Sequence, residues 1–245
     1  MSPHPTRISH RIVFSGLGNC RAGDTLAVDG PEGYHAATVK RCRIGDTVGV
    51  LSGQGHRALG TIESIEGHKS SPTVGVLLSA VNRVECPQAV EVWTALPKGD
   101  RLETMLDQLS QLGVACWRSL ECERSERKWG SVKTDKLARV VVESAKQCDR
   151  AWFMEIGEPI SFEDAIGGPG VVVADETGDG AAVLGPAGRP VVLIGPEGGW
   201  ADGERRLMGE RAVRLVRLGG HVLRLETAAC AAAAVINSIP LGENS

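Results

Sequence analysis

Two glycine-broken stretches, "VVLIGPEGGW" (191–200) and "LGGHVLRLETAACAAAAV" (218–235), hold the residues best suited to chemistry. In the first, four apolar residues run into Gly195, Pro196, Glu197, Gly198 and Gly199, so a single carboxylate stands among three glycines. Glycine adopts positive φ and, lacking a Cβ, lets the backbone approach a ligand. Pro-x-Gly is also ordinary turn chemistry, and this stretch alone reads equally well as a plain strand-to-helix connection. No Gly-Lys-Ser/Thr follows and there is no G-x-G-x-x-G, which disfavours a phosphate or dinucleotide cradle. In the second stretch a glycine loop leads into a helix whose first turn holds Glu226 and Thr227 and whose body is mostly alanine, small enough for very close packing. Arg224 and Glu226 flank this loop, as chemistry or as a surface ion pair. Two such loops at strand ends suggest one shared cleft.

These loops need strands and helices to hold them. "GVVVAD" (170–175) and "PVVLIG" (190–195) are continuous apolar runs of the kind buried on both faces of a parallel sheet. "VEVWTAL" reads as a strand, and another is expected over 114–120. Leu102, Met105, Leu106, Leu109 and Leu112 fall at helical spacing, with Asp100 and Glu103 as a capping pair and Gly113 as the stop. A second helix is expected over 135–148, a third over 203–213 with Asp202 as its N-cap, a strand over 213–218 and a final helix over 226–237. Alternating strands and helices mean an α/β protein, and ligands of such sheets collect at the carboxyl ends of the strands. The first third differs. "RIVFSG", "DTLAVDG", "HAATVKRC", "DTVGVLSG", "ALGTIESIEG" and "PTVGVLLSAV" are short runs bounded by turn residues, read as the strands of a small β-barrel. "NRVECPQ" (82–88) reads as a linker between domains 1–83 and 88–245.

Composition narrows the function classes. At 42% hydrophobic and 23% charged residues the chain is globular, and its longest apolar run, Ala228 to Ile236, is far short of the roughly 18 residues of a membrane helix. The N-terminus does not read as a signal peptide, so a cytoplasmic location is expected. Seven cysteines with no C-x-x-C pair argue against a disulfide scaffold or structural zinc; they read as buried thiols, and no metal is expected. Residues 1–83 carry 9 basic and 6 acidic side chains, the remainder 18 and 24. A basic first part on an acidic whole hints at a phosphate-bearing partner.

"LIGPEGGW" followed by "LGGHVLRLETAA" resembles the signature of the SPOUT methyltransferases, and within them the ribosomal RNA small-subunit methyltransferase E family. "ALPKGDRLETMLDQLSQLGV" (95–114), "ERS" (123–125), "ESAKQCDR" (143–150) and "HAATVKRCRIGD" (35–46) are similar to that family's segments in the same order, over almost the whole chain. Gln111 stands where the family usually has an acid, and Gly220-His221 replaces its commoner Pro-Arg. The resemblance implies an N-terminal PUA-like β-barrel (1–83) that binds RNA, followed by a SPOUT α/β domain (88–245) with a trefoil knot, in a homodimer. It implies an S-adenosyl-L-methionine site at Glu176, Gly195, Pro196, Glu197, Gly198, Leu218, Gly219, Leu223, Arg224 and Thr227. The implied reaction is methylation of N3 of a uridine in 16S ribosomal RNA.

Uracil N3 carries a proton and a delocalised lone pair, so a catalyst must remove the one or stabilise the anion. Arg224 is placed to stabilise charge on the uracil oxygens, with Glu226 or Glu197 as proton acceptor or as the group that orients Arg224. N3 lies on the Watson–Crick edge, so the target nucleotide must be unpaired. Phosphate contacts are expected from Arg11, Arg41 and Arg43, with Lys40, for which a solvated face is the alternative and fits Lys40 better than Arg41; Lys98 and Arg124 are further candidates. The partner the resemblance implies is 16S rRNA or the small ribosomal subunit. Two other readings compete: a ribose 2′-O methyltransferase on the same fold, and a non-catalytic RNA-binding assembly factor.

Overall fold

A computed structural model of the chain describes residues 8–86, 90–180 and 190–238. They form two units: 8–86 together with 145–153, and 90–144 together with 154–238. The first therefore recruits a segment that the sequence reading assigns to the second domain.

The first unit holds β1 (His10–Val13), β2 (Thr25–Val28), a short helix α1 (Gly30–Tyr34) that widens into a π-helical turn over His35–Val39, β3 (Thr47–Leu51), β4 (His56–His68) and β5 (Ser71–Arg83). The sheet order is β1-β3-β4-β5-β2, parallel between β1 and β3 and antiparallel elsewhere. Alternation along β2 buries Leu26 and Val28 with Ile12, Val48, Ile62 and Val76 in one core. "HAATVKRC", expected as a strand, is helical instead. Its residues 35–39 continue α1 as the π-helical turn; across the two, Gly33 and Ala36 are buried, a spacing of three, and Pro31 at the start favours a helix. Of the expected linker over 82–88, the first two residues lie in β5, which runs through Arg83, and 87–88 lie outside the described residues.

Residues 145–153 dock on this sheet through polar contacts. The buried Lys146 Nζ meets Glu32 Oε1 at 3.1 Å, and Glu32 Oε2 accepts the Val13 amide at 2.8 Å. Arg11 Nε donates to Asp149 Oδ1 at 2.7 Å. The Gly55 amide donates to Ala151 O, the Phe153 amide to Gly53 O and Trp152 Nε1 to Val84 O. Gly55 has φ +90°, and a Cβ there would fall 2.4 Å from the Trp152 ring. Gly55→Ala is therefore expected to destabilise the protein by about 2–4 kcal/mol, read as a fall in the urea midpoint, because strain and a ring clash coincide.

The second unit follows the expected alternation: β6 (Glu91–Thr94), α2 (Arg101–Gln111), β7 (Cys116–Glu121), a 3-10 turn (Trp129–Ser131), α3 (Thr134–Cys148), β8 (Glu155–Ile156), β9 (Ile160–Ser161), α4 (Phe162–Ala165), β10 (Val171–Gly180), β11 (Val191–Ile194), α5 (Asp202–Glu210), β12 (Arg214–Arg217) and α6 (Leu225–Ser238). The last residues of α3 belong to the first unit. The sheet is parallel, in the order β12-β10-β11-β6-β7-β8, and β9 also pairs with β7. All four residues of β11 are buried, as a continuous apolar run requires in a central strand. Ala229, Ala232 and Ala233 of α6 are fully buried, and their small side chains let α6 lie close to β6, β11 and α2.

Two expected caps differ. Asp100 precedes α2, but its side chain bonds no backbone amide, and Glu103 pairs with Lys136 at 2.5 Å. At α5 the cap position is Ala201, not Asp202, and Glu204 reaches back to accept the Ala201 amide. Gly113 stops α2 as expected, at φ +83°. Of the seven cysteines, Cys42, Cys116 and Cys122 are buried, but Cys86 and Cys148 are exposed. Among the described residues no cluster is arranged to hold a metal, and no helix is long and apolar enough to cross a membrane.

Candidate active site at the carboxyl ends of the parallel strands

β11 ends at Ile194, whose carbonyl accepts the Ala95 amide at 2.9 Å, tying the loops after β11 and β6 together. The chain then turns sharply. The Gly199 amide donates to Pro196 O at 2.9 Å, and Gly199 sits at φ +70°, where glycine is favoured. Gly195 is required for a different reason: a Cβ there would fall 2.9 Å from the Trp200 indole. That indole is buried, packs on Phe162 at 5.0 Å and donates Nε1 to Ala174 O at 3.3 Å, so the turn is anchored to the end of β10. The aromatic that closes "GPEGGW" is thus the post around which the turn is wound.

The loop after β7 staples this turn from outside. Arg124 Nη1 donates to Gly198 O at 3.3 Å and Trp200 O at 3.2 Å, with Asp202 4.0 Å from Nη2. The buried Glu204 carboxylate takes the Glu123 amide on one oxygen at 2.9 Å and the Ala201 amide on the other at 2.7 Å. Burial and then the nearby Glu204 charge push the Cys122 thiol up to about 12, keeping it neutral. Glu204 gave no motif in the sequence; the faint signal was an acid three residues after a helix start.

At the end of β10 the pairing with β12 slips between Ala174 and Asp179, and the bulge carries Glu176 outward. Gly178 makes room for it, since a Cβ there would lie 2.5 Å from the Leu215 backbone. Asp175, also missed in the sequence, organises the bulge. One carboxylate oxygen accepts the Thr177 amide at 3.0 Å and hydroxyl at 2.5 Å, and the other meets Arg205 at 3.1 Å. Burial by itself raises the Asp175 carboxyl, but the Thr177 bonds and the Arg205 charge outweigh it and hold the group below its ordinary value. A depressed folded-state value contributes stability that is full above the unfolded value near 3.8 and is lost as pH falls through the folded one. The stability gap between wild type and Asp175→Asn is accordingly expected to be constant from pH 5 to 7 and to shrink below about pH 4, as urea titrations at each pH would record.

The third loop leads from β12 through Leu218, Gly219 and Leu223 to Arg224 at the start of α6. Leu223 is half-buried and approaches Gly219, while Arg224 is exposed and, among the described residues, its side chain makes no hydrogen bond or ion pair. Glu226 Oε1 lies 3.5 Å from Arg101 Nε, and Oε2 is buried with no hydrogen-bond partner among the described residues. Glu226 and Thr227 line a cleft of about 810 Å³ between α2 and α6, with Arg101, Met105, Gln108 and Cys230. Glu197 turns the other way, accepting the Lys98 amide at 3.4 Å.

The fold thus brings the expected cofactor residues to the carboxyl ends of the adjacent strands β12, β10 and β11, with the loop after β6 beside them. It does not pair Arg224 with either Glu226 or Glu197. The expected phosphate contacts divide. Arg41 and Arg43 are exposed and make no ion pair among the described residues, whereas Arg11 is held by Asp149, Lys98 by Glu126 at 2.7 Å and Arg124 by the turn carbonyls. The glycine loop after β12 leaves backbone groups approachable: a Cβ on Gly219 would come no nearer than 3.7 Å to any neighbour, and one on Gly220 would meet nothing within 4 Å among the described residues.

A parallel α/β sheet with apposed glycine loops at the carboxyl ends of its strands has the form in which such folds place a ligand site. The model of the RNA methyltransferase domain family matches residues 84–237, and that of the RNA methyltransferase PUA domain matches 28–71. The chain belongs to this RNA methyltransferase family. It is 31% identical over 179 residues to ribosomal RNA small subunit methyltransferase E of Synechocystis sp., covering 68% of this chain and 59% of that protein. The same enzyme of Mycobacterium bovis is 29% identical over 228 residues, 86% of this chain and 85% of the relative. Among solved structures, a Legionella pneumophila methyltransferase with bound SAM superposes with TM-score 0.77 at 25% identity, covering 95% of this chain and 98% of that one. Ribosomal RNA small subunit methyltransferase E of Neisseria gonorrhoeae, bound to S-adenosyl methionine, has the same fold (TM-score 0.80, 22% identity, 94% and 97% covered).

Proposed function

We propose that this chain transfers a methyl group from S-adenosyl-L-methionine to N3 of a uridine in 16S ribosomal RNA. The observation that carries the reading is the convergence of the loops after β12, β10 and β11 at one sheet edge, in a chain whose relatives named small subunit methyltransferase E align over most of its length. The backbone of Gly195 to Gly198 and of Leu218 and Gly219, with Glu176, Leu223 and Thr227, would hold the cofactor, which supplies an electrophilic sulfonium methyl. Holding N3 in line with that methyl is the main task of the site. Arg224, whose side chain makes no hydrogen bond or ion pair among the described residues, stabilises the negative charge that grows on the uracil oxygens. Of the two carboxylates, Glu226 is assigned as proton acceptor: among the described residues its Oε2 has no donor, whereas Glu197 accepts the Lys98 amide.

Finer features belong to the same reading. The five-stranded sheet is read as a PUA-like barrel, the segment from β11 to α6 as a trefoil knot, and the chain as a homodimer. The cleft between α2 and α6 and the 82% exposed Val222 support a covering second copy. A ribosomal substrate places the activity in the cytoplasm.

Nucleoside mass spectrometry of 16S rRNA from cells lacking the protein, before and after treatment with purified protein and cofactor, tests the proposal. Loss and return of N3-methyluridine is expected. Return of a ribose-methylated nucleoside instead would move the target, and no methylation at all would leave an RNA-binding factor.

A further inference from the structure

We infer that the exposed face running from Tyr34 to Ile44 in the first unit is a docking surface for unpaired RNA, with Tyr34 as a base-stacking residue. The inference rests on the RNA-directed reading above and adds, to the phosphate contacts expected of Arg41 and Arg43, a base-stacking residue and a preference of this face for single strands.

Three large apolar side chains stand out within these positions: Tyr34, the chain's single tyrosine, is 42% exposed, Val39 56% and Ile44 66%. The backbone places them there firmly. Gly33 lies so close to the sheet that a Cβ would fall 2.5 Å from Val28 O and 2.7 Å from Pro72 O, which pins α1 and leaves the next residue, Tyr34, facing solvent. The following turn is π-helical, a form that recurs at functional sites, and the chain doubles back through Lys40 N to His35 O (2.8 Å) and Cys42 N to Ala36 O (3.0 Å). This return forces Arg41 to φ +56°, a left-handed conformation that a long side chain adopts only under constraint.

Charge selects the occupant. Lys40, Arg41 and Arg43 are exposed and make no ion pair among the described residues, and positions 34–45 hold no carboxylate. The next acid, Asp46, is turned to the Arg43 amide at 2.8 Å. The β4–β5 hairpin adds Lys69, whose carbonyl accepts the Thr38 hydroxyl at 3.3 Å. Cations interleaved with an aromatic and aliphatic surface suit a flexible strand, whose phosphates meet the cations while a base stacks on the ring. A duplex hides its base faces and gains nothing from Tyr34.

The test uses the full chain and fluorescence anisotropy with an unstructured oligoribonucleotide and an RNA duplex of equal length. Tyr34→Ala is expected to weaken single-strand binding roughly ten-fold without changing its salt dependence, to leave duplex binding unaltered and to be rescued by Tyr34→Phe. Arg41→Gly, which relaxes the left-handed backbone, is expected to melt no lower than wild type yet bind RNA more weakly, with a log–log salt slope shallower by about 0.7. Wild-type affinity in Tyr34→Ala, or equal loss of single-strand and duplex binding, overturns the inference. So does an effect of Tyr34→Ala on oligomeric state by light scattering with RNA affinity intact, which would make the face a protein interface. If N3-methyluridine is made while Tyr34→Ala binds normally, the docking surface alone fails. If the binding pattern holds while no methylated uridine forms, the reaction assignment fails instead.

Discussion

Arg224→Ala is expected to lower methyl transfer to 16S rRNA by about 100- to 1000-fold, the usual consequence of removing one preorganised donor to a developing oxyanion, or about 3–4 kcal/mol. Cofactor affinity should change only a few-fold, because Leu218 and Gly219 are read as holding it through backbone groups. Folding should be untouched, since Arg224 is exposed and makes no side-chain bond among the described residues. Arg224→Lys should recover little, because the ammonium keeps the charge but not the planar fork that spans two oxygens. Turnover at saturating cofactor and RNA separates the role from one in binding: a rise in KM with kcat preserved would make Arg224 a binding residue. Glu226→Gln should also depress kcat, and the loss should be smaller at high pH, where more of the uracil is already deprotonated.

Glu204→Ala is the change with the largest expected effect on the site's architecture. The carboxylate is buried and takes both the Glu123 and Ala201 amides, so its removal leaves two donors in protein surroundings at about 1–3 kcal/mol each. A loss of roughly 2–5 kcal/mol and a melting temperature lower by on the order of 10 °C should follow. Glu204→Gln, which keeps one acceptor, should fall between. The functional consequence is sharper than the stability loss. Together with Arg124, Glu204 holds the Gly195 to Gly199 turn against the loop after β7, so cofactor KM should rise in variants that still fold. Arg124→Ala should show the KM effect with little destabilisation, because its side chain is half exposed and its partners are carbonyls. Unchanged cofactor affinity in both Arg124→Ala and Glu204→Gln would show that the turn holds its shape without the staple.

The site was legible in proportion to how local its physics is. Gly195, Gly198 and Gly199 declared themselves because a strand ending in glycines restricts the backbone within a few residues, and the alanines of α6 did so because small side chains repeat along one helix. Arg124 was visible only as a charge, and its part in holding the turn depends on carbonyls more than seventy residues away. Asp175 and Glu204 were invisible, since an isolated acid in a polar stretch reads the same whether solvated or spent on buried amides. "HAATVKRC" was misread because its alternation is too short to separate a strand from a helix pinned at Gly33 and Ala36.

By itself, the sequence determined the succession of strands and helices, the positions of the glycine turns and the resemblance to the RNA methyltransferases. The succession of elements and the turns follow from side-chain periodicity and from the conformations that glycine and proline allow over short spans, and the resemblance from ordered segments similar to the family's. Only the tertiary structure decided which charges remain available. Strand order sets neighbours that are remote in the chain, so Arg11 is spent on Asp149, Lys98 on Glu126 and Arg124 on the turn, while Arg41, Arg43 and Arg224 have no ion pair among the described residues. It also decided that residues 145–153 leave the second unit to complete the first, because Lys146, Asp149 and Trp152 find their partners there.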